Sequence, residues 1–150
     1  MIVIAHNIRS LHNVGSILRN AAAFGVEKVF LTGITGTPPR KEIAKVSLGA
    51  EDLVPWEFGE IGPVIDGLKR EGYAVWGLET GEGAMNIEDV RARGNGQGFA
   101  LVLGSEVEGI DAETRAMLNG IVEIPMDKKR SLNVSVASGV AMYALKNLHP

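Results

Sequence analysis

The chain has 150 residues, of which 45% are hydrophobic, and it carries a formal net charge of −3 and no cysteine. These values match one domain with a full core, residues 1–150, and they exclude disulfides and thiolate metal sites. The three histidines, His6, His12 and His149, lack the spacing of a metal-binding pair, so we expect no metal.

The sequence contains no segment that predicts a membrane span or a signal peptide. No run approaches the ~20 apolar residues that a span requires. Residues 1–5, MIVIA, have the character of a strand and lack the basic start and the length of a signal peptide. We therefore expect a cytoplasmic protein.

The charged residues are unevenly distributed along the chain. Residues 1–50 hold six Lys and Arg against two Asp and Glu, whereas residues 51–100 hold four against ten. The basic first third and the triplet KKR at 128–130 either form one positive face suited to phosphate binding or are ordinary solvated charges.

Apolar runs and helical periodicity predict strands and helices that alternate along the chain. Asn13 and Asp111 are candidate N-caps, Gly25 and Gly72 are candidate helix stops, and Pro55 suggests a sheet edge. The glycine-rich residues 94–98 have the wrong spacing for a dinucleotide loop and predict a turn. Strands are predicted at 2–5, 28–32, 53–58, 73–78, 99–103 and 121–124, and helices at 13–24, 40–46, 61–70, 87–93, 111–118 and from 131 onward.

This alternation predicts an α/β fold with a parallel sheet and helices on both faces. In such sheets a ligand lies beyond the carboxyl ends of the strands. The unusual polar residues follow strands, at 79–81, 104–106 and 125–133, so we expect a site where these three loops meet.

The last helix is apolar nearly all round, which indicates burial inside the protein or inside a dimer. Its expected first turn nevertheless carries Ser131 and Asn133. These two side chains either serve only as caps or belong to a site at the helix N-terminus, next to Lys128, Lys129 and Arg130.

Glu106 follows the most apolar strand and lies in the segment GSEVEG, residues 104–109. It is either a structural hydrogen-bonding residue or part of a site. Gly104 and Gly109 permit a close backbone approach, which favours a ligand. The segment alone is a weak signal, because such turns are frequent in α/β proteins.

Three motifs together carry much more information than any one of them. They are NVGSILR at 13–19 followed by AFGV at 23–26, LGSEVEG at 103–109, and IPM at 124–126 with SLNVSVA at 131–137. In order and placement they resemble the signature motifs of the SpoU (TrmH) family of RNA 2′-O-ribose methyltransferases, part of the SPOUT superfamily. The resemblance runs from about residue 3 to residue 147.

The resemblance implies an α/β knot, in which the C-terminal part is threaded through a loop as a deep trefoil knot. It also implies an S-adenosylmethionine-dependent methyltransferase of a ribose 2′-hydroxyl, acting on tRNA or alternatively on rRNA. By match, the cofactor-binding residues are Leu78, Glu79, Thr80, Leu103, Gly104, Ile124, Pro125, Met126 and Leu132.

The resemblance further implies a homodimer in which Arg19 of one subunit reaches the site of the other. Asn13, Glu106, Ser131 and Asn133 complete the polar catalytic site by match. Because the pKa of arginine exceeds about 12, Arg19 is an awkward base. It acts either as a base primed by the target phosphate or as a group that fixes this phosphate and stabilises the developing alkoxide.

Since we expect no separate RNA-binding domain, RNA is recognised either by basic residues of the catalytic domain itself or with the help of a partner. Where many relatives carry glycine and small residues, this chain has Asp127 followed by three basic residues, and the added positive charge suits RNA. The candidates are Arg9, Arg19, Arg40, Lys41, Lys128, Lys129 and Arg130.

Two other classes of protein remain alternatives. One is a binding protein of the same fold that holds the cofactor or RNA without transferring methyl groups. The other is a small nucleotide-dependent enzyme with an open sheet, although the chain has neither GxGxxG after its first strand nor GxxxxGK[ST].

Overall fold

The fold is a seven-stranded sheet with helices on both faces, seen in a computed structural model that describes residues 1–92 and 98–146. The strands are β1 Ile2–His6, β2 Lys28–Thr32, β3 Trp56–Gly59, β4 Tyr73–Leu78, β5 Met85–Asn86, β6 Gly98–Leu103 and β7 Gly120–Glu123. The helices are α1 Leu11–Ala23, α2 Lys41–Ser47, α3 Ile61–Arg70, α4 Ile87–Ala92, α5 Ala112–Ala116 and α6 Val134–Leu145.

All the strand pairings of this sheet are parallel, as the alternating pattern predicts, and the order is β3-β2-β1-β6-β4-β7-β5. The expectation of a sheet edge at Pro55 is confirmed, because β3 begins at the next residue and is an edge strand. The central strand β6 is buried along its whole length, which its apolar sequence predicts.

Two apolar layers hold the helices on the sheet. The larger one joins one face to α1, α2, α4 and α6 and contains Ile17, Leu18, Leu101 and Met142. The smaller one lies on the other face beneath α3 and contains Ile4, Ile65 and Val102. No helix in the described residues is long and apolar enough to span a membrane.

The predicted start of α1 was wrong by several residues. The helix begins at Leu11, and its N-cap is Ser10, whose side chain accepts a hydrogen bond from the backbone N–H of Asn13. Asn13 therefore lies inside the helix, where its own amide is free for a contact with another loop. The predicted N-cap Asp111 is confirmed and accepts from the N–H of Thr114 at 2.8 Å.

The final helix also departs from the prediction. It begins at Val134 with Asn133 as its N-cap, so Ser131 and Leu132 precede it. Within the single chain one side is buried through Ser138, Ala141, Met142 and Leu145, while Val136, Val140 and Tyr143 are exposed. Residues 147–150, like Arg93 and residues 94–97 of the predicted turn, lie outside the described residues, whereas Gly98 belongs to β6.

Other boundaries shift by less. The third strand starts at Trp56 rather than Leu53, because residues 50–52 form a 3₁₀ turn ahead of it. The short strand β5 was not predicted and lies in the polar passage after residue 79, where two residues give almost no periodicity.

Gly15 lets α2 lie directly against α1. A Cβ built there would be 2.6 Å from the carbonyl oxygen of Ile43, whereas a Cβ at Gly67 in α3 would meet nothing within 4 Å. Gly15→Ala should lower the free energy of unfolding by about 1–3 kcal/mol because the helices must separate. Gly67→Ala should raise it by up to about 1 kcal/mol through helix propensity.

Urea unfolding of both variants measures these two changes in the free energy of unfolding. Equal stabilities would show that α1 and α2 are not in such close contact at Gly15.

Candidate functional site

One cavity of about 340 Å³ lies at the carboxyl ends of the central strands. This volume falls within the roughly 300–1,000 Å³ range of small-molecule sites. The cavity is lined by Leu78, Glu79, Thr80, Leu103, Gly104, Ser105, Glu106, Gly109, Ile124, Met126, Arg130, Ser131, Leu132, Asn133, Val134 and Ala137.

The three loops meet there because β6, β4 and β7 are neighbours that end at the same level. Leu78 pairs with Leu103 on one side and with Val122 on the other. Parallel strands in register direct their following loops to one edge of the sheet. The expectation that the loops at 79–81, 104–106 and 125–133 converge is therefore confirmed.

Hydrogen bonds cross-link the three loops. The Thr80 hydroxyl donates to the carbonyl oxygen of Arg130 at 3.3 Å, which joins the first loop to the third. The N–H of Ile110 donates to the Glu79 carboxylate at 3.3 Å, which joins the second loop to the first. These hydrogen bonds hold the three loops in fixed positions around the cavity.

Glu106 is presented by a tight turn after β6. Ser105 and Gly109 exchange two backbone hydrogen bonds of 3.0 Å across this turn. The Glu106 carboxylate accepts from the N–H of Arg9 at 2.9 Å, from the N–H of Ser10 at 3.0 Å and from the amide of Asn13 at 2.9 Å. Glu106 therefore connects the loop after β6 to the start of α1.

These contacts set the charge of Glu106. Desolvation, the largest contribution, raises its pKa, but the hydrogen bonds from the Arg9 N–H, the Asn13 amide and the Ser10 N–H together outweigh it and lower the pKa below its ordinary value. The carboxylate is therefore ionised at neutral pH and is a poor proton acceptor.

Asn13 and Asn133 extend this polar chain from α1 to α6. The Asn133 amide donates to the side-chain oxygen of Asn13 at 3.3 Å. The Asn133 side-chain oxygen accepts from the N–H of Ser135 at 2.9 Å and so caps α6. The cap and the connection to Asn13 are made by the same side chain. The capping role of Asn133 is therefore confirmed, and its role in catalysis stays a prediction.

Ser131 lines the cavity in the exposed segment before α6. Of the two alternatives for Ser131, capping is contradicted, because Asn133 is the N-cap of α6. The Ser131 hydroxyl is available at the cavity wall, and its catalytic role stays a prediction.

Arg19 projects from α1 and is exposed. It does not line the cavity that Glu106, Ser131 and Asn133 share. It lies instead in a shallow depression of about 490 Å³ between α1 and α6, together with Phe24, Val136 and Val140. Within a single chain, the structure does not bring Arg19 into the polar cluster.

Eight of the nine predicted cofactor residues line the cavity, and exposed Pro125 does not. All seven candidate RNA contacts have exposed side chains, and Arg130 also borders the cavity. Contact with cofactor or RNA stays a prediction for each of them. Among the described residues there is no cluster of His, Asp and Glu that would hold a metal ion.

The glycines around Glu106 are required for a different reason from the close approach of a ligand that the sequence suggested. A Cβ at Gly104 would be 2.5 Å from the backbone carbon of Gly109, and a Cβ at Gly109, which has φ 68°, would be 2.7 Å from Glu79 Oε1. The close approach is therefore made by the protein itself, and the glycines do not by themselves indicate a ligand.

Sequence reasoning missed two polar contacts near the site. The Asn20 amide donates to the carbonyl oxygen of Ser135 at 2.9 Å and fixes the first turn of α6 on α1. Arg115 of α5 pairs with Glu79, with 3.5 Å between Nη2 and Oε2. The seven-residue spacing of Asn13 and Asn20 on one helix face was the available signal for the first, and no local pattern indicated the second.

Comparison with known proteins identifies the family. The model of the SpoU rRNA Methylase family matches residues 1–143. The chain belongs to this family. It is 34% identical over 145 residues to the 23S rRNA (guanosine-2′-O-)-methyltransferase RlmB of Xanthomonas axonopodis pv. citri, a match that covers 95% of this chain and 57% of that protein. This SpoU family chain thus spans little more than half the length of the curated relatives it matches.

Two solved structures extend the family comparison. An AdoMet-bound rRNA methyltransferase from Sinorhizobium meliloti superposes with a TM-score of 0.87 at 22% identity, over 95% of this chain and 54% of that one, and shows the common fold. A structure described as giving insights into the 2-OH methylation of C/U34 on tRNA has a TM-score of 0.80 at 26% identity, over 95% of this chain and 91% of that one.

Glu106→Gln should lower the melting temperature at pH 7, because a neutral amide cannot accept all three hydrogen bonds. The folded pKa of Glu106 lies below its unfolded value, so its stabilisation is complete above the unfolded pKa and is lost as the pH falls through the folded pKa. The difference between variant and wild type should therefore shrink as the pH is lowered from 7 to below the ordinary glutamate pKa of 4.5.

Thermal melts across this pH range provide the measurement. Glu108→Gln, an exposed substitution in the same turn, is the matched control. A pH-independent deficit in Glu106→Gln would contradict the role of the ionised carboxylate.

Proposed function

We propose that this chain is an S-adenosylmethionine-dependent RNA methyltransferase that modifies a ribose 2′-hydroxyl, with tRNA as its substrate. The observation that carries the proposal is the cavity where three loops converge, with Glu106, Asn13 and Asn133 hydrogen-bonded in a chain at its border. The chain's membership of the SpoU family supports methyl transfer as the chemistry of this site.

The chemistry of the cavity fits the cofactor. Leu78, Leu103, Ile124, Met126 and Leu132 supply apolar walls that suit an adenine ring. Glu106, which forms no ion pair with a described residue, supplies negative charge for a cationic ligand. When bound, S-adenosylmethionine supplies a methyl group already activated by its sulfonium centre.

The residues of the chain then act mainly by positioning. A bound methyl donor and an oriented hydroxyl react as neighbours, so fixed geometry supplies much of the rate. Glu106 keeps α1 and the loop after β6 in place, and Ser131 and Asn133 hold the ribose at the cavity border. Glu106 is a poor base because three donors already stabilise its ionised form.

We propose that the active form is a homodimer in which Arg19 completes the site of the partner subunit. Two features support this. Arg19 lies outside the cavity of its own chain, and beside it α6 exposes the apolar stripe Val136, Val140 and Tyr143. Packing of this stripe against a second copy would remove its apolar side chains from water. The same packing would bring the Arg19 guanidinium to the surface of the partner subunit.

In this arrangement Arg19 holds the target phosphate and stabilises the developing alkoxide. The hydroxyl proton passes to solvent water as the oxygen takes the methyl group, and S-adenosylhomocysteine is the leaving group. A guanidinium remains charged near neutral pH and presents donors that match phosphate oxygens. The exposed triplet Lys128, Lys129 and Arg130 next to the cavity, together with Arg9, Arg40 and Lys41, would contact the RNA backbone.

Three further proposals accompany this function. The segment after β7 is threaded as a trefoil knot, which is supported by the packing of α6 against both α1 and α4. Residues 1–150 act as one domain that recognises RNA through its own basic residues. The cytoplasm, where the RNA substrate is found, is the location that fits the activity.

The choice of RNA rests on similarity to proteins whose names state a substrate. The likeness to the C/U34 tRNA methylation structure covers 91% of that chain, which favours tRNA. The 34% identity to RlmB favours 23S rRNA as the second candidate. Incubation of the protein with tritiated S-adenosylmethionine and unmodified tRNA or 23S rRNA, followed by nucleoside analysis, decides between them.

The expected product is a 2′-O-methylated nucleoside in tRNA. Label only in rRNA would favour the second candidate. Calorimetric binding of the cofactor without label in either RNA would indicate a catalytically silent binding protein.

Arg19→Ala should leave cofactor affinity unchanged and slow methyl transfer by about a hundredfold or more, because a donor to developing charge is lost. A mixture of Arg19→Ala with Asn133→Ala tests whether the arginine acts across subunits. Each hybrid dimer has one intact composite site out of two, so the purified hybrid should regain about half of wild-type activity.

Co-expression with two affinity tags yields the hybrid for assay. Failure of the hybrid to regain activity would show that Arg19 serves its own chain, and weakened cofactor binding in Arg19→Ala would contradict its assigned role.

A further inference from the structure

We infer that the side chain of Glu79 binds the ribose hydroxyls of the adenosyl group and makes the site selective for ribose over deoxyribose. This inference rests on the proposed function, since it assigns a cofactor contact within the same cavity. It goes beyond the sequence resemblance, which gives Glu79 only as one of nine cofactor-binding residues.

One carboxylate oxygen of Glu79 is anchored by the protein. Oε2 accepts from the N–H of Ile110 at 3.3 Å and lies 3.5 Å from Nη2 of Arg115. The backbone N–H of Glu79 donates to the carbonyl oxygen of Val122 at 3.0 Å. The side chain is thus held at both ends and has a defined orientation at the cavity wall.

The other oxygen has no hydrogen-bond donor from the protein in residues 1–92 and 98–146. Oε1 packs beside Gly109, where a Cβ would approach it to 2.7 Å. The side chain is 29% exposed and lines the cavity. A carboxylate oxygen in this position is a strong acceptor that a ligand can use.

The surrounding charges indicate which ligand group it accepts from. Arg115 balances the charge of Glu79, so this carboxylate attracts a cation less strongly than Glu106, which has no ion pair with any described residue. Glu79 therefore acts as a neutralised hydrogen-bond acceptor. A vicinal diol, with two O–H donors on adjacent carbons, matches that property better than an ammonium or a sulfonium.

Position supports the same assignment. Glu106 follows β6 and belongs to the polar cluster with Asn13 and Asn133, where the target ribose is proposed to lie. Glu79 follows β4, one strand further along the sheet, among the apolar residues Leu78 and Leu103. The two carboxylates therefore face different parts of one ligand.

A site built around such an acceptor discriminates against analogues that lack the hydroxyl, because the acceptor then has no donor from the ligand. Glu79→Ala should weaken binding of S-adenosylhomocysteine and of methylthioadenosine alike, by roughly ten- to a hundredfold. Methylthioadenosine keeps the ribose but lacks the amino-acid end of the cofactor. Wild-type protein should prefer adenosine to its 2′-deoxy and 3′-deoxy forms, and the variant should lose that preference.

Isothermal calorimetry of the full chain measures each affinity. Glu82→Ala removes an exposed carboxylate from the same connection and is the matched control. Thermal melts verify that Glu79→Ala is folded, and Glu79→Gln is the second variant if it is not. Glu79→Gln retains the anchor at Ile110 but no longer presents an acceptor to the cavity.

Three results would overturn the inference. Unchanged affinities in both variants would show that Glu79 does not contact the ligand. Weaker binding of S-adenosylhomocysteine with unchanged binding of methylthioadenosine would place the amino-acid ammonium there instead. Failure of folded wild-type protein to bind S-adenosylmethionine would refute the proposed cofactor, and the assignment of Glu79 with it.

Discussion

The carboxylate of Glu106 is the constraint on which the rest of the site depends. It collects two backbone N–H groups that precede α1 and the amide of Asn13 within α1. Because Glu106 follows β6 and α1 follows β1, these bonds fix a helix to the loop of the neighbouring strand. Asn13 then contacts Asn133, so the placement of α6 against α1 depends on the same group.

The two carboxylates of the cavity have different surroundings. Glu106 is held by neutral donors and keeps its full negative charge, whereas Glu79 faces the guanidinium of Arg115. Such a difference allows one small cavity to bind a charged part of its ligand near Glu106 and a neutral part near Glu79. The sequence offers two similar residues, Glu79 and Glu106, and only their distant partners distinguish them.

Local sequence predicted much of the fold and the region of the site. The strand at 28–32, the helix at 61–70 and the strand at 73–78 have the predicted limits, because each shows a clear apolar pattern between breakers. Convergence of the three loops followed from a general property of parallel sheets. The N-cap of α1 could not be predicted from local sequence. Ser10 and Asn13 are equally suitable N-cap residues, and the choice between them depends on Glu106, which is 93 residues away from Asn13.

The arrangement of β1 between β2 and β6 has a consequence for how the protein is made. Its pairing with β2 spans 26 residues, but its pairing with β6 spans 98. Strand β6 has to enter between β1 and β4, so the two halves of the sheet cannot join until residues 98–103 have left the ribosome. Until then the nascent chain carries an unpaired hydrophobic strand edge, which makes the growing polypeptide a natural client for chaperones and its folding slow.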